Sequence, residues 1–343
     1  MFLKRFSFLL LAGALLPVAS HARQYVVNDL GDTVIGEVSQ TRADLKDTLL
    51  DIGRRHGFGY FDMKLVNPDV DTWLPGAGRE IVLPSKFVLP HAPREGIVMN
   101  VPEMRLYYYP PRKKGEPQYV LTYPLGVGRE GWNTPYMSTR VIEKKKNPNW
   151  YPPESIREEH EQAGDPLPRI VKAGPDNPLG DYAMRLGRPE YLIHGTNKPY
   201  GVGMRVSHGC IRLYPEDIES LFQQVSLNTP VNIINQPYKV GVKNNVIYLE
   251  AHPFLDEDAT LFENNLTSVV SLLVKISDER DYEIDWAAAY DAINNPTGVP
   301  RVIGMYLPEI MQAKVEEKLR TELTRARQVN LKLQLDSGIN LAN

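Results

Sequence analysis

Residues 191–213 read YLIHGTNKPYGVGMRVSHGCIRL and bring together His194, His208 and Cys210, the last being the only cysteine among 343 residues. A thiol attacks as its thiolate, and a nearby imidazole promotes that form by taking or sharing the proton. The apolar run Tyr191-Leu192-Ile193 fits a short strand ending in His194-Gly195, and a Gly-containing loop leads back to a second strand over 205–211. Positions two apart on a strand share a face, so His208 and Cys210 are expected to project together. If the two strands are neighbours, His194 reaches the same spot. Gly209 lets backbone approach a substrate carbonyl, so the amides of Gly209 and Cys210 can face a developing oxyanion. Arg212 adds positive charge that favours thiolate and can grip a substrate carboxylate. Pro215-Glu216-Asp217 then opens a helix, with acids at the positive end of its dipole.

Composition removes several rival chemistries. Thirty-nine basic against 42 acidic residues give a formal charge of −3, which excludes a polybasic nucleic-acid binder as the identity of the whole chain. A single cysteine excludes an intramolecular disulfide, a CxxC zinc site and an iron–sulfur cluster. Neither GxxxxGK[ST] nor HExxH occurs, and Glu158-Glu159-His160-Glu161 reads as a solvated helix face, so neither metal nor nucleotide cofactor is expected. Gly126, Gly128 and Gly131 spell GxGxxG, but Trp132-Asn133-Thr134-Pro135 follows and cannot open a helix in register. This segment is expected to be a loop joining strands.

The amino terminus places the thiol in a compartment. Lys4 and Arg5 precede an apolar run from Phe6 to Val18, and Ser20-His21-Ala22 fits a cleavage site, so residues 1–22 read as a signal peptide. The expected mature chain is exported to the periplasm with no transmembrane anchor. A solitary thiol there is either a buried inert side chain or a retained nucleophile, and the surrounding His and Gly favour the nucleophile.

Twenty-eight prolines and 25 glycines favour a loop-rich chain containing strands. Residues 23–90 form a small unit, with helices expected over 47–57 and 60–66 and a strand over 80–83. Its pieces Asp47-Thr48-Leu49, Asn67-Pro68 and Ile81-Val82-Leu83-Pro84 resemble a LysM module, a βααβ family that binds the glycan of peptidoglycan or chitin, with residues 31–46 standing as an insertion. Pro-rich residues 86–94 read as a stiff linker. Strands are expected over 96–100, 104–109 and 119–124, with Tyr107, Tyr108 and Tyr109 pointing to alternate faces. Residues 144–190 read as a long loop, a lid or substrate wall, with Trp150 and Tyr151 as substrate contacts. Beyond Pro237, an Asn244-Asn245 hairpin, a helix over 266–276 and a helical stripe of Met311, Val315, Leu319 and Leu323 packed on the core are expected.

The His, Gly-loop, Ser-His-Gly-Cys order resembles the catalytic motif of the L,D-transpeptidases (the YkuD-domain family), and the likeness extends through GVGREGWNTP and AGPDNPLG over 94–236. The resemblance implies a β-sandwich catalytic domain acting on the tetrapeptide stem of peptidoglycan. It makes Cys210 the nucleophile and His194 the general base, oriented by the carbonyl of Gly195. It has His208 and Ser207 shape the pocket, and Gly209 and Cys210 supply the oxyanion hole. Arg212 stands where many members have Asn, as in the periplasmic subgroup that attaches an outer-membrane lipoprotein to the wall. Tyr136-Met137 replaces the family's usual Gly. The expected fold class is mainly β with α+β additions: a small βααβ LysM-like module, the sandwich over 94–236, and an α/β carboxy-terminal extension over 237–343. The expected reaction passes through a thioester to an amine of a lipoprotein or a second stem, the alternatives being a hydrolase on this scaffold or a non-catalytic wall-binding protein.

Overall fold

The computed structural model describes residues 23–27, 31–262, 265–276 and 281–307, with a helical fragment at 320–321 and 323–324. The expected signal peptide and most of the carboxy-terminal stripe lie outside these residues. Leu323, the described member of that stripe, is 58% exposed.

Runs of β-branched and aromatic residues between turn signals build a nine-stranded sheet. Its order is Arg23–Val27, Gln118–Pro124, Arg105–Tyr109, Gly96–Asn100, Pro230–Ile234, Met137–Lys146, Tyr182–Leu186, Leu192–His194 and Ile211–Arg212. The long strand Met137–Lys146 carries the sheet round a corner. Its first half pairs with Pro230–Ile234, its second half pairs with Tyr182–Leu186, and the register shifts between Val141 and Glu143. Side chains from both halves, among them Ile97, Leu106, Tyr108, Met184, Ile193 and Ile211, meet in one core, as in a sandwich.

The opposite face of the first half carries the small amino-terminal unit. Strands Ser39–Arg42 and Glu80–Leu83 pair antiparallel and flank helices Leu49–His56 and Tyr60–Val66, giving the expected βααβ order. The first helix begins with a Thr48–Asp51 capping box and ends on left-handed Gly57. Residues 31–46, read as an insertion, instead contain the first strand of this unit and the strand Val34–Gly36. The expected linker likewise contains a strand, Lys86–Val88, paired with Val34–Gly36. Phe58, Phe87, Ile52 and Met63 pack with Val98, Tyr107, Tyr109 and Val120 of the large sheet. All three tyrosines 107–109 are therefore buried, and none offers a stacking surface.

The carboxy-terminal region is a four-stranded sheet with helices Asn265–Ile276 and Trp286–Asn294. Its hairpin, Tyr238–Lys243 and Val246–Ala251, turns on Asn244 and Asn245, both at positive φ. Lys239 is fully buried where the three regions meet. Its Nζ donates to Glu103 Oε2 and to the Val88 carbonyl, each at 2.8 Å, and lies 2.8 Å from Glu250 Oε1. Glu103, Glu250 and His252 form the one close group of possible metal ligands among the described residues, and the Lys239 ammonium already sits between its two carboxylates. No helix among the described residues is long and apolar enough to cross a membrane.

Candidate active site

Strand Leu192–His194 lies parallel to Ile211–Arg212, with Ile193 opposite Ile211 and His194 opposite Arg212. Of the second segment expected as its neighbour, only the end at Ile211 meets this strand, while Arg205–Ser207 pairs with Val127–Gly128. The expected continuous strand through 205–211 is not found, because strand Arg205–Ser207 ends before His208 and pairing resumes at Ile211. Gly209 at φ +96° makes this break, a conformation open to glycine and costly for other residues. His208 and Cys210 are consequently placed by a turn and not by strand alternation.

That turn is held by its own hydroxyl and by the preceding loop. Ser207 Oγ donates to the Cys210 carbonyl at 2.6 Å and accepts from the Gly209 amide at 3.2 Å. Thr134 Oγ1 donates to the Gly209 carbonyl at 3.0 Å. The GxGxxG segment is a strand-joining loop, as expected, with Val127–Gly128 pairing alongside Arg205–Ser207.

His194 is buried, and its Nδ1 lies 2.6 Å from the Gly195 carbonyl. Nδ1–H donating there leaves the Nε2 lone pair as the basic site. Burial, aided by the charge of Arg212, pushes the His194 pKa down to about 3, so the imidazole is neutral at rest. Cys210 is partly exposed, and its Sγ points toward the Glu190 carbonyl at 3.7 Å. Burial of the sulfur raises the thiol pKa; the Leu192 amide and the charges of Arg212 and Arg185 oppose that shift without reversing it. The expectation that Arg212 favours thiolate has the right sign, but desolvation wins. Thiol and imidazole are each neutral at rest, and no hydrogen bond of the described residues joins Cys210 to His194.

Arg212 lacks an acid partner among the described residues, and its buried Nε has no hydrogen bond. Desolvation lowers its pKa, while proximity to Cys210 works the other way. A guanidinium left without its complement beside a thiol suits an anionic substrate group.

Residues 144–190, expected as a long loop, contain the end of strand Met137–Lys146, the helix Glu154–Gln162 and the strand Tyr182–Leu186. Glu159 does not belong to a wholly solvated face. Its Oε2 lies 3.2 Å from His208 Nε2, and its Oε1 accepts from Arg129 Nη2. Arg129 Nη2 also approaches His208 Nε2 at 3.2 Å, and the Trp132 ring meets the His208 ring edge-on at 4.9 Å. Sequence reasoning missed Glu159, Arg129 and Trp132, although the last two stand in the loop it set aside. Trp150 sits at the base of the excursion in a backbone bridge to Val171, and Tyr151 is 64% exposed. No hydrogen bond or ring contact of the described residues joins either to Cys210, His194 or His208.

The flanking regions also grip the motif. The Tyr60 and Phe61 amides donate to the Val202 and Gly203 carbonyls of the loop between His194 and His208. From the other side, Glu257 pairs with both terminal nitrogens of Arg205, and Asp258 accepts from Tyr136 Oη. The departure at Tyr136 is thus met by the carboxy-terminal region.

The mainly β fold thus carries a single thiol at a turn before Ile211–Arg212, with the His194 imidazole on the strand paired to that segment. Comparison with known proteins gives the family: residues 94–233 match the L,D-transpeptidase catalytic domain model, YkuD. The chain is 44% identical to the Escherichia coli K12 protein described as probable L,D-transpeptidase YcfS, over 64% of this chain and 70% of that one. It is 41% identical to YbiS of the same strain, over 71% and 78% of the two chains. To ErfK/SrfK of Salmonella typhimurium it is 37% identical, over 82% and 91%. The chain belongs to the L,D-transpeptidase family and is an L,D-transpeptidase.

Proposed function

We propose that the chain is a periplasmic cysteine transferase that exchanges the terminal D-alanine of a peptidoglycan tetrapeptide stem for an amine. Cys210 Sγ attacks the carbonyl at the L-centre of the diaminopimelate residue. Because both partners are neutral at rest, attack is coupled to proton transfer from Sγ to His194 Nε2, which then delivers that proton to the departing D-alanine amine. The Gly209 amide is shared with Ser207 Oγ, so the Cys210 amide is the first donor to the oxyanion and the Gly209 amide the second. Arg212 binds a carboxylate of the stem. The thioester then meets an amine, from a second diaminopimelate or from the terminal lysine of an outer-membrane lipoprotein, and the new amide releases Cys210.

The observation that carries this reading is the unpartnered Arg212 guanidinium beside the chain's single thiol. The βααβ unit is read as LysM-like, holding glycan near the site, with Trp73 and Leu74 exposed on the loop before its last strand. Exposed Tyr151 is open to the same polymer. Export follows from the apolar amino terminus. Incubation of the mature protein with disaccharide-tetrapeptide tests the reaction. Cross-linked dimer and free D-alanine are expected from the wild type and neither from Cys210→Ala; tripeptide without dimer, even with added amine acceptor, overturns transfer in favour of hydrolysis.

A further inference from the structure

We propose that Glu159 is a positioning residue of this site: helix Glu154–Gln162 delivers its carboxylate to His208 and Arg129, and the contact sets the His208 tautomer and fixes the Ser207–Cys210 turn for attack. The inference rests on the transferase reading above and adds to it a residue outside the catalytic motif.

Helix geometry shows how the carboxylate arrives. Ile156 is buried, and Glu159 stands one turn later on the same face, so anchoring Ile156 turns Glu159 inward. Its neighbours do otherwise: Glu158 is exposed and His160 pairs locally with Asp165 at 3.4 Å. Glu159 and Arg129 are each about two-fifths exposed, and pairs of that kind add little to stability. What this pair touches matters more than its own strength, because its third member is the His of Ser-His-Gly-Cys.

Two charges compete for one nitrogen. His208 Nε2 is 3.2 Å from Glu159 Oε2, which can only accept, and 3.2 Å from Arg129 Nη2, which can only donate. With Glu159 ionised, Nε2 keeps its proton and Nδ1 carries the lone pair. Without Glu159, Arg129 donates to Nε2 and the tautomer reverses. Three charged groups act on this ring: Glu159 from the helix, Arg129 from the loop after Gly128, and Arg212 from the adjoining strand, while Trp132 covers it with an uncharged face. Burial lowers the His208 pKa and Glu159 alone among these raises it. Loss of Glu159 therefore moves the His208 titration to lower pH. A helix that merely covers the site would leave both tautomer and titration unchanged.

The test uses the full mature chain as wild type, Glu159→Ala, Glu159→Gln and Glu159→Asp. Imidazole nitrogen shifts of His208 are read by NMR, Cys210 alkylation by iodoacetamide is followed against pH, and kcat and KM are measured on disaccharide-tetrapeptide. Glu159→Ala is expected to reverse the tautomer and lower kcat by about tenfold to a hundredfold, with KM changed by less than about twofold. Glu159→Gln, whose amide oxygen still accepts from Nε2–H, is expected to keep the tautomer yet shift the titration downward, and Glu159→Asp to recover part of kcat. Wild-type tautomer and kcat in folded Glu159→Ala overturn the proposal. Failure of the wild type to turn over the stem peptide overturns the transferase reading instead, and the NMR and alkylation readouts then still decide what Glu159 does to His208.

Discussion

Replacing Gly203 by alanine tests whether the amino-terminal unit and the catalytic loop form one working structure. Gly203 has φ +80°, and an added Cβ would lie 2.2 Å from Tyr60 N and 2.5 Å from Gly59 Cα. Relief requires the loop to leave the start of helix Tyr60–Val66, breaking the Tyr60-to-Val202 and Phe61-to-Gly203 hydrogen bonds, each 3.2 Å. Left-handed backbone costs an alanine about 1–2 kcal/mol, and two lost backbone bonds about 1–3 kcal/mol more. The whole variant should therefore lose about 2–5 kcal/mol. Gly115→Ala isolates the first of these contributions, since Gly115 has φ +91° with nothing within 4 Å of its Cβ position. Urea unfolding of both variants gives the docking energy as their difference, and amide exchange at Tyr60 and Phe61 reports whether those bonds opened. Gly203→Ala should also lower kcat, because the loop leads directly into Arg205–Ser207. Equal losses in the two variants, within about 0.5 kcal/mol, would refute the docking argument.

Other perturbations probe separate parts of the account. Lys239→Met should destabilise by about 3–5 kcal/mol in urea unfolding at neutral pH, because it removes the ammonium that buried Glu103 and Glu250 share. Arg212→Gln removes a charge that lowers the Cys210 pKa, so the thiolate limb of iodoacetamide alkylation should move to higher pH. The same variant should raise KM for stem peptides bearing a free carboxylate more than for their amidated forms. His194→Gln should keep the fold while reducing kcat about a hundredfold or more, read in the D-alanine release assay.

Much of this structure is local enough to be legible in the sequence. The helices expected over 47–57 and 60–66 and the Asn244-Asn245 turn rest on spacing and turn residues that act within a few positions, and the structure has helices Leu49–His56 and Tyr60–Val66 and the hairpin at those places. The pairing of the His194 strand with the segment after Cys210 stood in the sequence only as a condition, because residues 195–210 lie between them and include the strand Arg205–Ser207, which pairs elsewhere. Contacts between distant segments were not legible. Glu159 and His208 are 49 residues apart, and nothing in a run of acids tells which one faces inward until Ile156 anchors the helix. The strand break at His208 depends on the sign of one glycine torsion, which the residue's identity permits but does not dictate. Strand Arg23–Val27 adding to the edge of the large sheet, beside Gln118–Pro124, likewise has no local signature. In the Lys144–Lys146 run, Lys144 Nζ donates to the Val225 carbonyl at 2.5 Å and lies over the Phe222 ring, so the ammonium is drawn back by tertiary packing that a run of lysines does not announce.

Covalent capture of Cys210 tests the central claim most directly. Intact-mass analysis of the mature protein after exposure to a carbapenem, followed by peptide mapping, should show one adduct per chain on Cys210 and none on Cys210→Ala. An unmodified wild type, or an adduct that persists when Cys210 is replaced, would contradict the assignment of this thiol as the nucleophile.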